Sequence, residues 1–160
     1  MPKYDCVDEA VIDATPAEVV AAIADEYAGR TQWWMPTFRA RARDGREWPE
    51  VGCVLDVAAS IKPGGVERRD AVRQVLRVTE YEPDRRVLHE QIRGPFRGTV
   101  EFAFTPVGDR QTRVVEHWKA RSVGLWSLIL RFYDVEHDHS QIERAGFEGL
   151  QAFFAARTRP

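Results

Sequence analysis

The sequence has few cysteines and no long apolar run, and each shortage excludes a class of protein. Cys6 and Cys53 are the only cysteines, and a separation of this length matches neither a zinc motif nor a redox motif. We therefore expect two reduced, buried thiols in a cytoplasmic protein. The longest nearly apolar stretch, residues 123–130, is far shorter than the ~20 residues of a membrane helix, so we expect no integral membrane segment.

The chain is also short of net charge and of recognisable catalytic motifs. It carries 23 basic and 25 acidic residues, for a formal net charge of −2, which gives no reason to expect nucleic acid as a partner. It lacks a glycine-rich phosphate loop, a nucleophile constellation and paired zinc ligands, so we expect neither a cofactor nor a metal. With 160 residues, 44% of them hydrophobic, residues 1–160 are expected to form a single globular domain.

Alternating apolar residues and turn residues divide the chain into seven strands, two short helices and a long C-terminal helix. The predicted strands cover residues 5–14, 37–43, 51–61, 69–81, 86–93, 96–105 and 111–121. Thr15-Pro16-Ala17-Glu18 has the pattern of a capped helix start, and a second short helix is predicted over Thr31–Met35. The long helix is predicted over residues 134–156 from an apolar stripe of Val135, His139, Ile142, Gly146, Leu150 and Phe153. Short loops between the last four strands predict an antiparallel meander, with the long helix covering one face.

Loop lengths predict which side of each strand faces the long helix. They place Leu76 opposite Glu90, Glu90 opposite Val100, and Val100 opposite Glu116. Even-numbered residues then share the inner face, which is the apolar one. Its apolar members are Val72, Leu76, Val78, Leu88, Ile92, Val100, Phe102, Phe104, Val114 and Trp118. Its polar members are Asp70, Gln74, Glu90 and Glu116.

Glu90, Glu116 and His139 are the candidates for chemistry in this predicted space. The two glutamates flank Val100 in one row, about 9–10 Å apart at the backbone. Buried carboxylates are costly unless they are paired or protonated. With His139 they would form a general acid and base, or they would hydrogen-bond the polar end of an apolar ligand. Alternatively, each glutamate lies at a wet sheet edge or pairs with an arginine, and His139 is an ordinary core or surface histidine.

The order of elements resembles a known superfamily. The residues that carry the resemblance are Val11–Val19, Trp33-Trp34, Val51-Gly52, Glu82-Pro83-Asp84 and Ser140–Phe154. On these segments the chain resembles the START-like, Bet v 1-like (SRPBCC) superfamily, and within it the polyketide cyclase/dehydrase-type proteins. The resemblance implies an α+β helix-grip fold, in which a curved seven-stranded antiparallel sheet wraps around the C-terminal helix. It also implies a cavity for an apolar ligand, but no universal catalytic residues, so fold alone does not assign a reaction.

The residues expected to contact that ligand combine the predicted inner face with the covering helix. They are Asp70, Gln74, Leu76, Leu88, Glu90, Val100, Phe102, Phe104, Glu116, Trp118, His139 and Ile142. Two functions remain open at this point: a binding protein for a lipid-like or polyketide-like molecule, and a cyclase or dehydratase using Glu90, Glu116 and His139. They are distinguished by whether the three polar groups converge within about one water of each other.

Three other features have both a functional and an ordinary interpretation. Asp134, His137, Asp138 and Gln141 share a helix face, but an acidic helix start favoured by the macrodipole explains them better than a metal site. The outer sheet face is basic, through Arg39, Arg41, Arg43, Arg73, Arg77, Arg97, Arg113 and Lys119. It is either a solvated surface or a docking face for an anionic partner, which would make the chain a protein-interaction module. The apolar segment 123–133 is a candidate for core packing, a pocket mouth, or a homodimer or membrane contact.

Overall fold

Seven antiparallel strands and a long C-terminal helix form most of the protein, as the computed structural model shows for residues 3–159. The strands are β1 (Tyr4–Ile12), β2 (Phe38–Ala42), β3 (Val54–Ala59), β4 (Val72–Glu82), β5 (Arg86–Arg93), β6 (Phe96–Gly108) and β7 (Gln111–Ser122). The helices are α1 (Pro16–Tyr27), α2 (Trp126–Ile129) and α3 (Val135–Arg157). The strand order across the sheet is β1-β7-β6-β5-β4-β3-β2. The predicted helix-grip fold is confirmed.

The start of α1 follows from its first four residues. Thr15 accepts a hydrogen bond from the Glu18 backbone amide, and the Glu18 side chain accepts one from the Thr15 amide. Pro16 occupies the first turn, where an absent N–H costs nothing. The cap satisfies amides that have no partner within the helix, so α1 begins where the sequence predicts.

A series of turns over residues 33–37 replaces the second short helix predicted for Thr31–Met35. The carboxylate of Glu26 accepts hydrogen bonds from the Thr31 hydroxyl and from the backbone amides of Trp33 and Trp34. Because these amides are satisfied by a side chain, they need no helical partners. Pro36 also disfavours a helical conformation at the residue before it.

The register of β5 is the main correction to the sequence prediction. Leu76 pairs with Gln91, not with Glu90, and Val100 pairs with His89, not with Glu90. The pairing of β4 with β5 shifts by one residue between Val78 and Glu80, and a one-residue slip exchanges the two faces of a strand. The predicted pairings of β5 with β4 and with β6 are each wrong by one residue. The second error restores the phase that the first one reverses, so β6 and β7 keep the predicted inner face. Val100 there pairs with Trp118, two positions from the predicted Glu116.

α3 runs beside the edge strand β1, in the same direction along the chain. The Asp5 amide donates to the Glu136 carboxylate, Ser140 donates to Asp8, and the Asp13 amide donates to the Gln151 side chain. These contacts give partners to backbone and side-chain groups that an open sheet edge would leave free.

The middle of α3 packs on the Trp33-Trp34 segment. The Trp34 indole N–H donates to the Ile142 carbonyl at 2.9 Å, and its ring stacks on Phe38 with centroids 4.2 Å apart. Gly146 and Gly149 lie against Trp34 and Trp33, where a side chain would collide. The two glycines thus let the helix approach these tryptophans closely.

The segment between β7 and α3 is the most apolar exposed part of the described chain. It contains α2 and a single 3-10 turn over Leu130–Phe132. Its exposed apolar residues are Leu125, Trp126, Leu128, Ile129, Phe132 and Tyr133. No helix within residues 3–159 combines the length and apolarity needed to span a membrane.

Candidate functional site

Three titratable side chains meet beneath the first turns of α3. Asp8 on β1 and Glu116 on β7 are directly opposed in the sheet register and project from the same face. His139 of α3 lies between them, with its Nδ1 3.7 Å from Asp8 Oδ2 and its Nε2 3.5 Å from Glu116 Oε1. The imidazole stacks on the indole of Trp118, with ring centroids 4.3 Å apart and planes 2° from parallel.

Glu143, one helical turn after His139, completes what we call the carboxylate–histidine cluster: Asp8, Glu116, His139 and Glu143. Glu116 is 1% exposed and Glu143 is 5% exposed. Neither carboxylate oxygen of Glu116 has a hydrogen-bond partner, nor does Oε2 of Glu143 or Nδ1 of His139. Buried polar atoms usually have partners, so this cluster has donor and acceptor capacity that the described chain does not use.

Burial and mutual interaction shift the proton affinities of the cluster in opposite directions. Burial alone would lower the pKa of His139, but its contacts with Asp8 and Glu116 outweigh that effect and raise it to about 10. The contact with His139 lowers the pKa of Asp8. Burial raises the pKa of Glu116, and it raises the pKa of Glu143 well above its ordinary value. The cluster therefore pairs a protonated imidazole with Asp8 and holds two carboxyl groups that release their protons less readily than exposed glutamates do.

Three predicted ligand contacts lie outside the inner face. Glu90 is exposed on the outer face and pairs with Arg77 and Thr99 in the register, because the shift in β4 turns β5 over. Leu88 is half-buried on that outer side for the same reason. Asp70 precedes β4 in a turn, where it pairs with Arg68 and Lys62 in solvent. The predictions that these three residues face the helix are wrong.

The other predicted residues lie on the sheet's inner side or on α3. Glu116 and His139 converge as expected. Five apolar or aromatic members of the set are buried in the core: Leu76, Val100, Phe102, Phe104 and Trp118. Gln74 accepts a hydrogen bond from Gln91, and Ile142 is half-buried with its carbonyl bonded to Trp34. Whether any of them contacts a ligand stays a prediction.

Sequence reasoning missed several inner polar residues, among them Asp8, Glu143, His89 and Gln91. Asp8 and Glu143 had a usable signal, because Asp8 interrupts the even-numbered apolar series of β1 and Glu143 lies four residues after His139. His89 and Gln91 occupy the face that the predicted register assigned to solvent. His89 bridges Trp48 and the Val100 carbonyl, and Gln91 accepts from the Trp118 indole N–H.

A groove of about 590 Å³ runs between β1 and α3. Its apolar wall is formed by Ala10, Val11, Ile12, Phe147, Ala152 and Ala155. Its polar lining is Asp8, Glu9, Arg144, Glu148 and Gln151. Asp8 belongs both to this β1–α3 groove and to the carboxylate–histidine cluster, so the groove adjoins the cluster at Asp8.

The acidic start of α3 and the basic outer face of the sheet both make ordinary structural contacts in the described chain. Asp134 caps α3 by accepting from the His137 amide, as the acidic helix start predicts. The basic residues of the outer face are exposed or half-buried, and several are engaged: Arg39 with Glu67, Arg43 with Asp56, and Arg41 with the Glu26 carbonyl. A second groove of about 640 Å³ crosses this face. A docking role for it stays untested.

Comparison with known proteins agrees with the architecture. Residues 5–150 match the family described as polyketide cyclase/dehydrase and lipid transport. Among curated proteins, no significant match is found.

Solved structures share the fold at low sequence identity. The protein TTHA0849 from Thermus thermophilus has a TM-score of 0.68 at 19% identity, covering 98% of this chain and 100% of that one. The Zhui aromatase/cyclase from Streptomyces sp. R1128 has 0.67 at 15%, covering 98% and 96%. The ginseng major latex-like protein 151 from Panax ginseng has 0.68 at 9%, covering 94% and 96%.

Proposed function

Because the chain belongs to the polyketide cyclase/dehydrase and lipid transport family, we propose that it binds an apolar small molecule between the sheet and the C-terminal helix. The ligand has one polar end and is lipid-like or polyketide-like. The observation that carries the proposal is the β1–α3 groove, which combines an apolar wall with a polar end that adjoins a buried cluster.

The volume and lining of the groove suit such a ligand. Small-molecule sites are concave, about 300–1,000 Å³ in volume and mostly apolar, with a few placed polar groups. The groove falls within that range at about 590 Å³. Phe147 and the exposed Val11 supply apolar surface, whose burial against a ligand would provide most of the binding free energy.

The polar end of the ligand would lie near Asp8 and Arg144, at the end of the groove closest to His139. Arg144 is exposed and offers several N–H donors to an oxygen of the ligand. Asp8 accepts hydrogen bonds from a ligand hydroxyl or enol. The apolar part then extends along α3 towards Ala155.

Filling the groove should abolish most of this binding. We expect Ala152→Trp to weaken the affinity for the apolar fluorophore N-phenyl-1-naphthylamine by at least about tenfold, because the indole occupies space that the probe needs. Fluorescence titration measures the affinity, and displacement of the probe by fatty acids and aromatic polyketides then ranks ligand classes.

Ala156→Trp is the matched control, since Ala156 is an exposed alanine of the same helix that does not line the groove. It should leave the probe affinity within about twofold. Equal weakening by both variants, or no binding of the probe to the native chain, would contradict the proposed site. Native mass spectrometry with solvent extraction tests independently for a retained ligand.

A second candidate function is acid–base catalysis of a cyclisation or dehydration. The observation that favours it is the convergence of His139 on Glu116, whose Nε2 and Oε1 atoms lie 3.5 Å apart, slightly more than a direct hydrogen bond. Incubation with a synthetic poly-β-ketone tests it, with mass spectrometry for a product that has lost water. Conversion that continues unchanged in His139→Gln would exclude this role for the cluster.

A further inference from the structure

The carboxylate–histidine cluster has the ligand chemistry of a metal site. We propose that Asp8, Glu116 and His139 bind one divalent transition-metal ion, with Zn²⁺ as the best-matched probe. The inference goes beyond the proposed function, since it needs no apolar ligand.

The positions of the donor atoms are the first argument. One carboxylate oxygen from each acid and one ring nitrogen of His139 all lie within 4.8 Å of one another. Ligands bound at about 2.0–2.2 Å to a common ion are separated by at most about twice that distance. The donor atoms lie at or slightly beyond that limit, so small side-chain movements would bring all three residues within reach of a single ion.

The unsatisfied atoms are the second and independent argument. Glu116 is only 1% exposed, and both of its carboxylate oxygens lack a hydrogen-bond partner. The Nδ1 atom of His139 is buried without a partner as well. Unpaired buried polar atoms are costly, and a cation that replaced the protons and was coordinated by these atoms would remove that cost.

The surroundings resemble those of a supported metal site. Ser140 donates to Asp8 Oδ2 at 3.0 Å, which orients that carboxylate from outside the donor set. Glu143, the fourth member of the cluster, adds a buried acid beside the three donors. The Trp118 ring stacks on the imidazole and holds its plane. The donors are thus held by packing on two strands and one helix.

The donor types decide the class of ion. Two carboxylates and an imidazole suit zinc, iron or manganese, whereas magnesium and calcium prefer an all-oxygen set. Three protein ligands leave a position open for a water or a ligand oxygen. Asp8 lines the β1–α3 groove, so that open position is accessible to a molecule bound there.

Calorimetric titration of the full, chelator-treated chain with Zn²⁺ tests the inference. We expect one ion per chain, bound with release of protons, because a ligating imidazole must be neutral and a ligating carboxylate must be ionised. Asp8→Asn and Glu116→Gln should each weaken binding by at least about 30-fold, since each removes a ligand and keeps the side-chain shape. Asp8 is the safer of the two for folding, because its side chain is 19% exposed. Visible absorbance of bound Co²⁺ reports the same site by spectroscopy.

Two control variants distinguish coordination of the metal by these side chains from attraction of the ion by net negative charge. His137→Gln removes an exposed histidine of the same helix and should leave Zn²⁺ binding within about twofold. Glu143→Gln removes a buried acid outside the donor set and should weaken binding much less than Glu116→Gln. Equal losses in the two glutamate variants would overturn the site, because attraction by net charge would then explain binding.

Other outcomes are equally decisive. Failure of the native chain to bind Zn²⁺ or Co²⁺, or binding that survives in both Asp8→Asn and Glu116→Gln, would overturn the inference. The Ala152→Trp variant should still bind the ion, since it fills the groove without touching the cluster. Failure of the groove proposal and failure of the metal proposal are therefore separate results.

Discussion

Replacing Gly146 by alanine is expected to lower the free energy of unfolding by about 3 kcal/mol, although alanine is the better helix former. A Cβ atom at this position would lie 2.3 Å from Cε2 and 2.5 Å from Nε1 of Trp34. No real Cβ contact is so short, so either the indole or the helix must move.

The indole cannot move cheaply. Trp34 is 4% exposed, stacks on Phe38 and Trp33, and donates its N–H to the Ile142 carbonyl. Displacing it breaks that hydrogen bond and opens space elsewhere in a close-packed core. The steric cost therefore exceeds the gain of up to about 1 kcal/mol that alanine brings to a helix interior.

Urea denaturation of the native chain, Gly146→Ala and Gly108→Ala measures the effect. Gly108 is the matched control, because a Cβ there meets only ordinary contacts with Gln111, at 3.7 Å or more. It should change stability by less than about 0.5 kcal/mol. Adding Trp34→Phe to Gly146→Ala should recover part of the loss, and additive effects of the two changes would contradict the proposed collision.

Acidification should destabilise the protein through His89, by about 3 kcal/mol between pH 7 and pH 4. His89 is 1% exposed, and burial lowers its pKa from 6.5 to about 4. Its Nε2 accepts from the Trp48 indole N–H at 2.8 Å, so the neutral ring donates from Nδ1 to the Val100 carbonyl. A second proton would set Nε2–H against the Trp48 N–H, which adds repulsion to the cost of burying a charge.

The sign of the effect follows from the direction of the shift. The unfolded chain takes up a proton on His89 near pH 6.5, whereas the folded chain does so only near pH 4. The stabilising contribution of the neutral ring is therefore complete above about pH 6.5. It is lost progressively as the pH falls from there to the folded pKa.

Unfolding free energies of the native chain and of His89→Gln at pH 7 and pH 4 isolate this contribution. Glutamine can replace the hydrogen bonds but does not titrate, so its loss of stability on acidification should be smaller by about 3 kcal/mol. If the variant folds poorly, the imidazole resonances of the native protein give the same information. A His89 ring that protonates near pH 6.5 would show the prediction to be wrong.

Two residues of the candidate site, Glu116 and His139, were predictable because each is marked by a pattern within a few residues of sequence. Glu116 and His139 each interrupt an apolar periodic pattern, and such interruptions mark buried polar groups. Glu90 shows where that reasoning ends. Its assignment depended on counting residues through β4, and the shift between Val78 and Glu80 has no signature in the sequence.

The amino-acid sequence by itself determined the seven strands, the long C-terminal helix, the antiparallel meander, the family and the capped start of α1. Each depends on periodicity or on neighbours within a few residues, which a linear chain displays directly. Only the tertiary structure decided the face of β5, the replacement of a helix by turns bonded to Glu26, and the meeting of Asp8, Glu116 and His139. These features depend on contacts between segments that are distant in the sequence. A shift of one residue in a strand pairing reverses the face of β5, and the cluster forms only where the edge strand β1 meets α3.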